Sequence, residues 1–221
     1  MWFIELYPII QLYVKVKNMS IQEEHHIKKI SFVQSLLELL PFNEWNNKLL
    51  KEAEEKCGFT KGYSLIVFPE GLSEIVGFLE EYLDNIMLES LKIIAEPSKI
   101  REKISLAVKI RVKTVLPIIH SKNAAYFALN PIQGTEVAFR SCDAIWRYAG
   151  DKSFDFNYYT KRSLLLSVYV SSILFYIQDE SENYIETDKL IETAVANIVK
   201  TFSQIKKLLA PSKIPIVRMF T

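Results

Sequence analysis

Breakers of regular structure are scarce in this chain: six glycines and eight prolines among 221 residues. An average chain carries roughly 12% of the two together, about twice as much. So few turn residues exclude a sandwich or barrel of many short strands and point to long helices with short connections. Cysteine is scarce too. Cys57 and Cys142 stand far apart and in no C-x-x-C spacing, which excludes a disulfide framework and a cysteine-rich zinc site. They read as two buried small thiols. A charge excess is also missing, since 27 basic residues meet 26 acidic ones, so overall electrostatics make no case for nucleic acid. No GxSxG, P-loop or GxGxxG segment occurs, and no histidine stands near a serine or cysteine nucleophile. Glu23-x-x-His26 has the spacing of half a di-iron site, but no second such pair exists. The expectation is a protein without catalytic residues, bound metal or cofactor.

What is present is hydrophobic: 49% of the residues, enough for a sizeable core. Apolar positions recur at three and four residues, which predicts helices over 21–40, 44–57, 60–67, 70–95, 98–116, 121–129, 135–149, 163–177 and 187–209. Gly58 is placed to end the second helix and Thr60 to cap the third. The segment 163–177 runs for 15 residues without a charge, yet at about 1.5 Å rise per residue it falls short of a bilayer core. It reads as a central helix buried on all sides, with serines that bond back to the preceding turn. The first sixteen residues are apolar but carry Glu5 and no basic leader, so they fit neither a membrane span nor a signal peptide. The expected organisation is an N-terminal extension over 1–20, a helix-turn-helix-like region over 21–70, a helical region over 71–210 and a tail over 211–221.

The stretch 46–70 lays out a helix, a glycine turn, a short helix and an aromatic-proline step into a long helix. It resembles the DNA-binding segment of TetR-type regulators. Duplex affinity comes mainly from neutralised phosphates. Between Glu44 and Glu70 four lysines face five glutamates, and the second helix of the motif offers one cation, Lys61, and no arginine for guanine. The motif reads as scaffold. A basic run on the fifth helix, Lys99, Arg101, Lys103, Lys109, Arg111 and Lys113, faces only Glu102. Its positions point in several directions, as on a solvated helix surface, with anionic lipid headgroups or an acidic partner as the functional alternatives.

The most distinctive run is 143–162, with Asp143, Trp146, Ala149, Gly150, Asp151, Ser153, Asp155, Asn157, Tyr159, Thr160 and Arg162 in fixed spacing. Gly150 suits a helix stop, and Asp155 or Asn157 suits the next cap. The aromatics clustered around this polar loop suit a protein interface. With the runs 68–71 and 99–104, this pattern makes the chain resemble the coenzyme Q nine family over about 30–208. The resemblance implies an all-α, TetR-like helical bundle with a degenerate N-terminal helix-turn-helix. It implies a non-enzymatic accessory protein of ubiquinone biosynthesis that binds an isoprenoid quinone or phospholipid and presents a quinone intermediate to the demethoxyubiquinone hydroxylase. The family's partner surface falls on Ile145, Tyr148, Asp155, Tyr158, Tyr159 and Arg162, where position 158 is usually Trp and is Tyr here.

An isoprenoid tunnel needs an aliphatic and aromatic lining. Leu83, Met87, Ile104, Val108, Leu165, Val168, Tyr169, Ser172, Leu174 and Phe175 are the candidates, each of which plain core packing also explains. The family ends in an amphipathic membrane helix. Here the tail from Pro211 carries Lys213 and Arg218 for a membrane surface, but Pro211 and Pro215 interrupt a regular helix. TetR-like folds pair through their last two long helices, so a homodimer is expected by analogy. Residues 1–20 lack the composition of a transit peptide, which favours a bacterial cytoplasm with inner-membrane contact over a mitochondrial matrix. The rival readings are a ligand-responsive TetR-type repressor and a scaffold without ligand.

Overall fold

The structure is a computed structural model that describes residues 21–114, 131–154 and 156–208. Among these residues the regular elements are eight α-helices and two short 3-10 turns, with no strand. The chain is all-α, as its shortage of breakers indicates. The expected helix over 121–129, the extension over 1–20 and the tail over 211–221 lie outside the described residues.

Helix α1 (Ile21–Leu39) runs into a 3-10 turn at Leu40–Phe42, where Pro41 can donate no amide to a continued helix. Helix α2 (Asn47–Lys56) starts three residues later than its periodicity suggests. Asn46 sets that start, because its side chain accepts the amides of Lys48 at 2.9 Å and Leu49 at 3.1 Å. Past the end of α2, Gly58 takes φ 72°, which the other residue types resist. Helix α3 (Ser64–Val67) is a single turn, and Thr60 does not cap it. Glu54 of α2 does that work from a distance in sequence. Its buried carboxylate accepts the amides of Gly62 at 3.0 Å and Ser64 at 2.9 Å, which ties the two helices of the motif together.

The remaining helices are α4 (Leu72–Ile93), α5 (Ile100–Thr114), α6 (Pro131–Tyr148), α7 (Phe156–Tyr176) and α8 (Ile185–Leu208). Helix α6 begins at Pro131, whose missing amide would be unpaired in a first turn anyway. Helix α7 begins seven residues before the expected 163, so most of the aromatic run expected in a loop forms its first turns. Nor is α7 buried on all sides, since Val170, Leu174 and Phe175 are exposed. Uncharged does not mean enclosed here: Ser163, Ser167 and Ser171 share the exposed side. Ser167 and Ser171 return their hydroxyls to the carbonyls of Leu164 and Val168, three residues back.

Three contacts show that α4 and α6 run parallel. Gln133 donates to the Ser73 carbonyl at 2.6 Å, Arg140 to the Gly77 carbonyl at 2.8 Å and Ser141 to Asp84 at 2.6 Å. Helices α5 and α8 run antiparallel, joined by Lys109–Glu192 at 2.5 Å and Lys113–Asp188 at 3.2 Å. The ends of α4, α6 and α8 and the start of α5 therefore gather at one pole of the bundle. Phe32, Leu36, Phe68 and Leu79 belong to the apolar core, which continues through Met87, Val108 and Leu165 to Ile191. Among the described residues no helix is long and apolar enough to cross a membrane.

Candidate functional site at the junction of the sixth and seventh helices

The run 143–162 folds into an ionic knot around Arg162, whose side chain is fully buried. Its Nε donates to Asp143 at 2.8 Å, and its Nη1 donates to Asp151 at 2.7 Å and to the Tyr158 carbonyl at 3.3 Å. The guanidinium lies over the Tyr158 ring, 3.8 Å from the centroid, and Nη2 is buried without an acceptor. Asp143 also accepts from Arg147 at 2.7 Å. Asp151 accepts from Ser153 at 2.7 Å and from Lys161. Lys161 stands beside the rings of Trp146 and Phe202, and the Trp146 indole donates to the Lys161 carbonyl at 3.0 Å. Two carboxylates are thus shared among Arg147, Lys161 and Arg162.

Burial by itself would raise the Asp151 carboxyl. Hydrogen bonds from Lys161, Arg162 and Ser153 outweigh it and hold the group well below the usual carboxylate range. Asp143 is lowered in the same way: burial opposes, and Arg147 and Arg162 prevail. Both acids are ionised at neutral pH. The knot clamps the loop and the first turns of α7 against α6.

This geometry re-sorts the expected partner surface. Ile145 is 0% exposed and packs in the core, because it falls on the inward side of α6. Arg162 is also 0% exposed and acts as the centre of the knot, held inward by Asp143 and Asp151. Neither side chain is presented to a partner. Tyr148 is half-buried, its hydroxyl buried without a hydrogen-bond partner, and burial raises its pKa. Asp155 lies outside the described residues. Tyr158 is half-buried between Arg162 and Phe139, whose ring is 6.2 Å away, and Tyr159 meets it edge-on at 5.0 Å with 63% of its own surface exposed. Phe139 also lines an open cavity of about 640 Å³ with Ile132, Thr135 and Glu136. Tyr158, Tyr159 and this cavity are therefore neighbours, a relation no spacing in the sequence signals.

The candidate lipid-lining residues divide too. Leu83, Met87, Ile104, Val108, Leu165, Val168, Tyr169 and Ser172 are all buried where α4, α5 and α7 meet. Phe175 and Leu174 are exposed, so they do not line that interior. Ser172 spends its hydroxyl on the Val168 carbonyl at 2.7 Å.

Among these apolar residues sits a charged group that the sequence reading placed in solvent. Arg111 is fully buried, donates to Asp84 at 2.6 Å and to Glu80, and lies 5.8 Å from the Tyr169 ring. Its acidic partners come from α4, and helical spacing on α5 alone could not reveal them. Lys109 and Lys113 pair with carboxylates of α8, so the basic run does not stand free in solvent. Burial pushes up the Cys142 thiol, leaving it protonated, while Cys57 is half-buried and bonded to Ser35 at 3.1 Å. Among the described residues no three metal-ligating side chains gather.

Residues 133–201, which span α6 to α8 and the whole knot, match the COQ9 family. Among curated proteins the chain is 27% identical over 184 residues to the ubiquinone biosynthesis protein COQ9, mitochondrial, of Homo sapiens, covering 77% of this chain and 58% of that one. The Bos taurus protein of the same name is 26% identical over the same shares. The probable ubiquinone biosynthesis protein coq9, mitochondrial, of Dictyostelium discoideum is 33% identical over 105 residues, 46% of this chain and 34% of that one. The chain thus aligns with a little over half the length of its mammalian relatives. The segment that matches the COQ9 family is also the one that holds the ionic knot.

Proposed function

We propose that this chain serves ubiquinone biosynthesis as a non-enzymatic accessory protein. It binds an isoprenoid quinone intermediate, or a phospholipid in its place, and presents the quinone to the demethoxyubiquinone hydroxylase. The observation that carries the reading is that the segment matching the COQ9 family holds a buried ionic knot, on which Tyr158 and the exposed Tyr159 stack edge-on. Rigid rings on a fixed support make effective docking anchors. Tyr159 and the exposed edge of Tyr158 form that surface, while Arg162, Asp143 and Asp151 position it. The buried residues of α4, α5 and α7 are the candidate lining for the lipid tail.

The repressor reading finds little support. Helix α3 is one turn long and presents Leu65 and Ile66 to solvent where a DNA reader needs polar and basic groups. The mitochondrial names of the relatives favour a mitochondrial setting over the bacterial cytoplasm that composition suggested.

Two measurements test the proposal. Organic extracts of protein purified without detergent, read by mass spectrometry, should contain a stoichiometric isoprenoid or phospholipid; an empty, monodisperse protein would favour the scaffold reading. Tyr159→Ala should weaken capture of the hydroxylase roughly tenfold while the fold stays intact. Unchanged capture would remove the docking surface from the proposal.

A further inference from the structure

The first two turns of α6 carry an outward stripe that takes no part in the ionic knot. Ile132, Thr135, Glu136 and Phe139 recur at three- and four-residue spacing, which sets them on one side of the helix, and together they line the open cavity of about 640 Å³. Val137 and Ser141 fall on the other side and are buried. Ile132 stays 75% exposed. At the far end of the stripe Phe139 meets Tyr158 at 6.2 Å, and Tyr158 meets the exposed Tyr159 at 5.0 Å. An apolar strip therefore runs from Ile132 through Phe139 to the two tyrosines, where single exposed side chains would be ordinary.

Glu136 is the one charged residue in that lining. Arg140, four residues on, has the spacing of a helical ion-pair partner. Its side chain turns to α4 instead, where it donates to the Gly77 carbonyl at 2.8 Å and stands 3.7 Å from Asp84 and 4.0 Å from Glu81. Arg147 is held by Asp143, and Arg162 lies inside the knot. Among the described residues no cation pairs with Glu136.

A site for a small molecule buries most of its ligand, which an open cavity on one helix face does not do. A protein partner brings its own cover. Interface anchors are apolar side chains seated in such pockets, ringed by polar groups that shed water on contact. Glu136 sets the sign of the ring, because a carboxylate pressed against a neutral or acidic surface gives up its hydration without a return.

We infer that the stripe 132–139 extends the docking surface of Tyr159 and receives a partner segment that presents an aliphatic or aromatic side chain within one helical turn of a lysine or arginine. The anchor fills the cavity between Ile132 and Phe139, and the cation pairs with Glu136. The inference rests on the hydroxylase-docking reading and adds to it the seat of the anchor and the charge of the partner.

The test is capture of the purified hydroxylase by the immobilised full chain over a range of salt concentrations. Glu136→Lys should weaken capture roughly tenfold or more, because it sets one cation against another. Ile132→Ser should weaken it roughly fivefold. Both side chains are exposed, so helicity and melting temperature should stay near those of the parent. Capture by the parent should fall as salt rises, and the fall should be smaller for Glu136→Gln. If Tyr159→Ala weakens capture while Glu136→Lys and Ile132→Ser capture as the parent does, the inference is overturned and docking at the tyrosines stands. If the parent captures no hydroxylase, both are overturned. If Ile132→Ser changes the sedimentation of the chain alone, the stripe is covered by a second copy and the inference is overturned.

Discussion

The guanidinium of Arg162 lies over the ring of Tyr158, 3.8 Å from its centroid, while its Nε and Nη1 hold Asp143 and Asp151. One buried cation thereby joins α6, the loop after it and the first turn of α7. Removing Arg162 leaves two carboxylates in a confined site without their main counter-charge. Arg162→Ala should cost about 3–5 kcal/mol of stability. Tyr158→Ala, which removes only the stacked ring, should cost about 1–2 kcal/mol. Urea unfolding of both variants measures the difference, and equal losses would show that the ring, not the ion pairs, holds the knot.

Acid should dissolve the same knot. The carboxyls of Asp151 and Asp143 titrate lower in the folded chain than in the unfolded one. Their contribution is therefore fully present above the unfolded value of about 3.9 and is lost as pH falls through it toward the folded value. The urea midpoint should lose little to these groups between neutral pH and about pH 5, then drop. Asp151→Asn should lower the midpoint at neutral pH and flatten the acid drop. A parent and variant with equal acid slopes would assign the sensitivity to other groups.

Arg111 allows a cleaner measurement, because its partners lie on another helix. Arg111→Met takes the buried counter-charge from Glu80 and Asp84, of which Asp84 keeps Ser141 and Arg140, and should destabilise by about 3–5 kcal/mol. Asp84→Asn in the Arg111→Met background should cost less than it does alone. A double-mutant cycle should return a coupling of about 1–3 kcal/mol, and additivity would mean that the two side chains do not act together.

Glu54 is expected to govern the turn between α2 and α3. Glu54→Ala withdraws the acceptor for the amides of Gly62 and Ser64 and should cost about 1–3 kcal/mol. Hydrogen exchange should accelerate at those two amides first. Uniform acceleration across α2 would point instead to global loosening.

The helical class followed from the shortage of breakers, and most helix positions followed from apolar spacing, because a helix repeats its environment every three to four residues. The start of α7 did not. Aromatic and polar residues alternate from Ser153 to Thr160 without helical spacing, and the contacts of Arg162 with Tyr158 and Asp151 come from the tertiary fold. The residues expected on a partner surface could not be sorted into buried and exposed ones from the sequence. Ile145 and Tyr159 both belong to the aromatic-rich run, yet one faces the core and the other faces solvent.

The sequence by itself determined where most of the described helices fall and that the distinctive run of residues lies in 143–162. Those properties depend on composition and local spacing. Only the tertiary structure decided that Arg111 and Arg162 point inward and that Glu54 caps a turn eight to ten residues away. A charged side chain is buried or solvated according to the partners that other helices bring to it, and no window along one helix contains those partners.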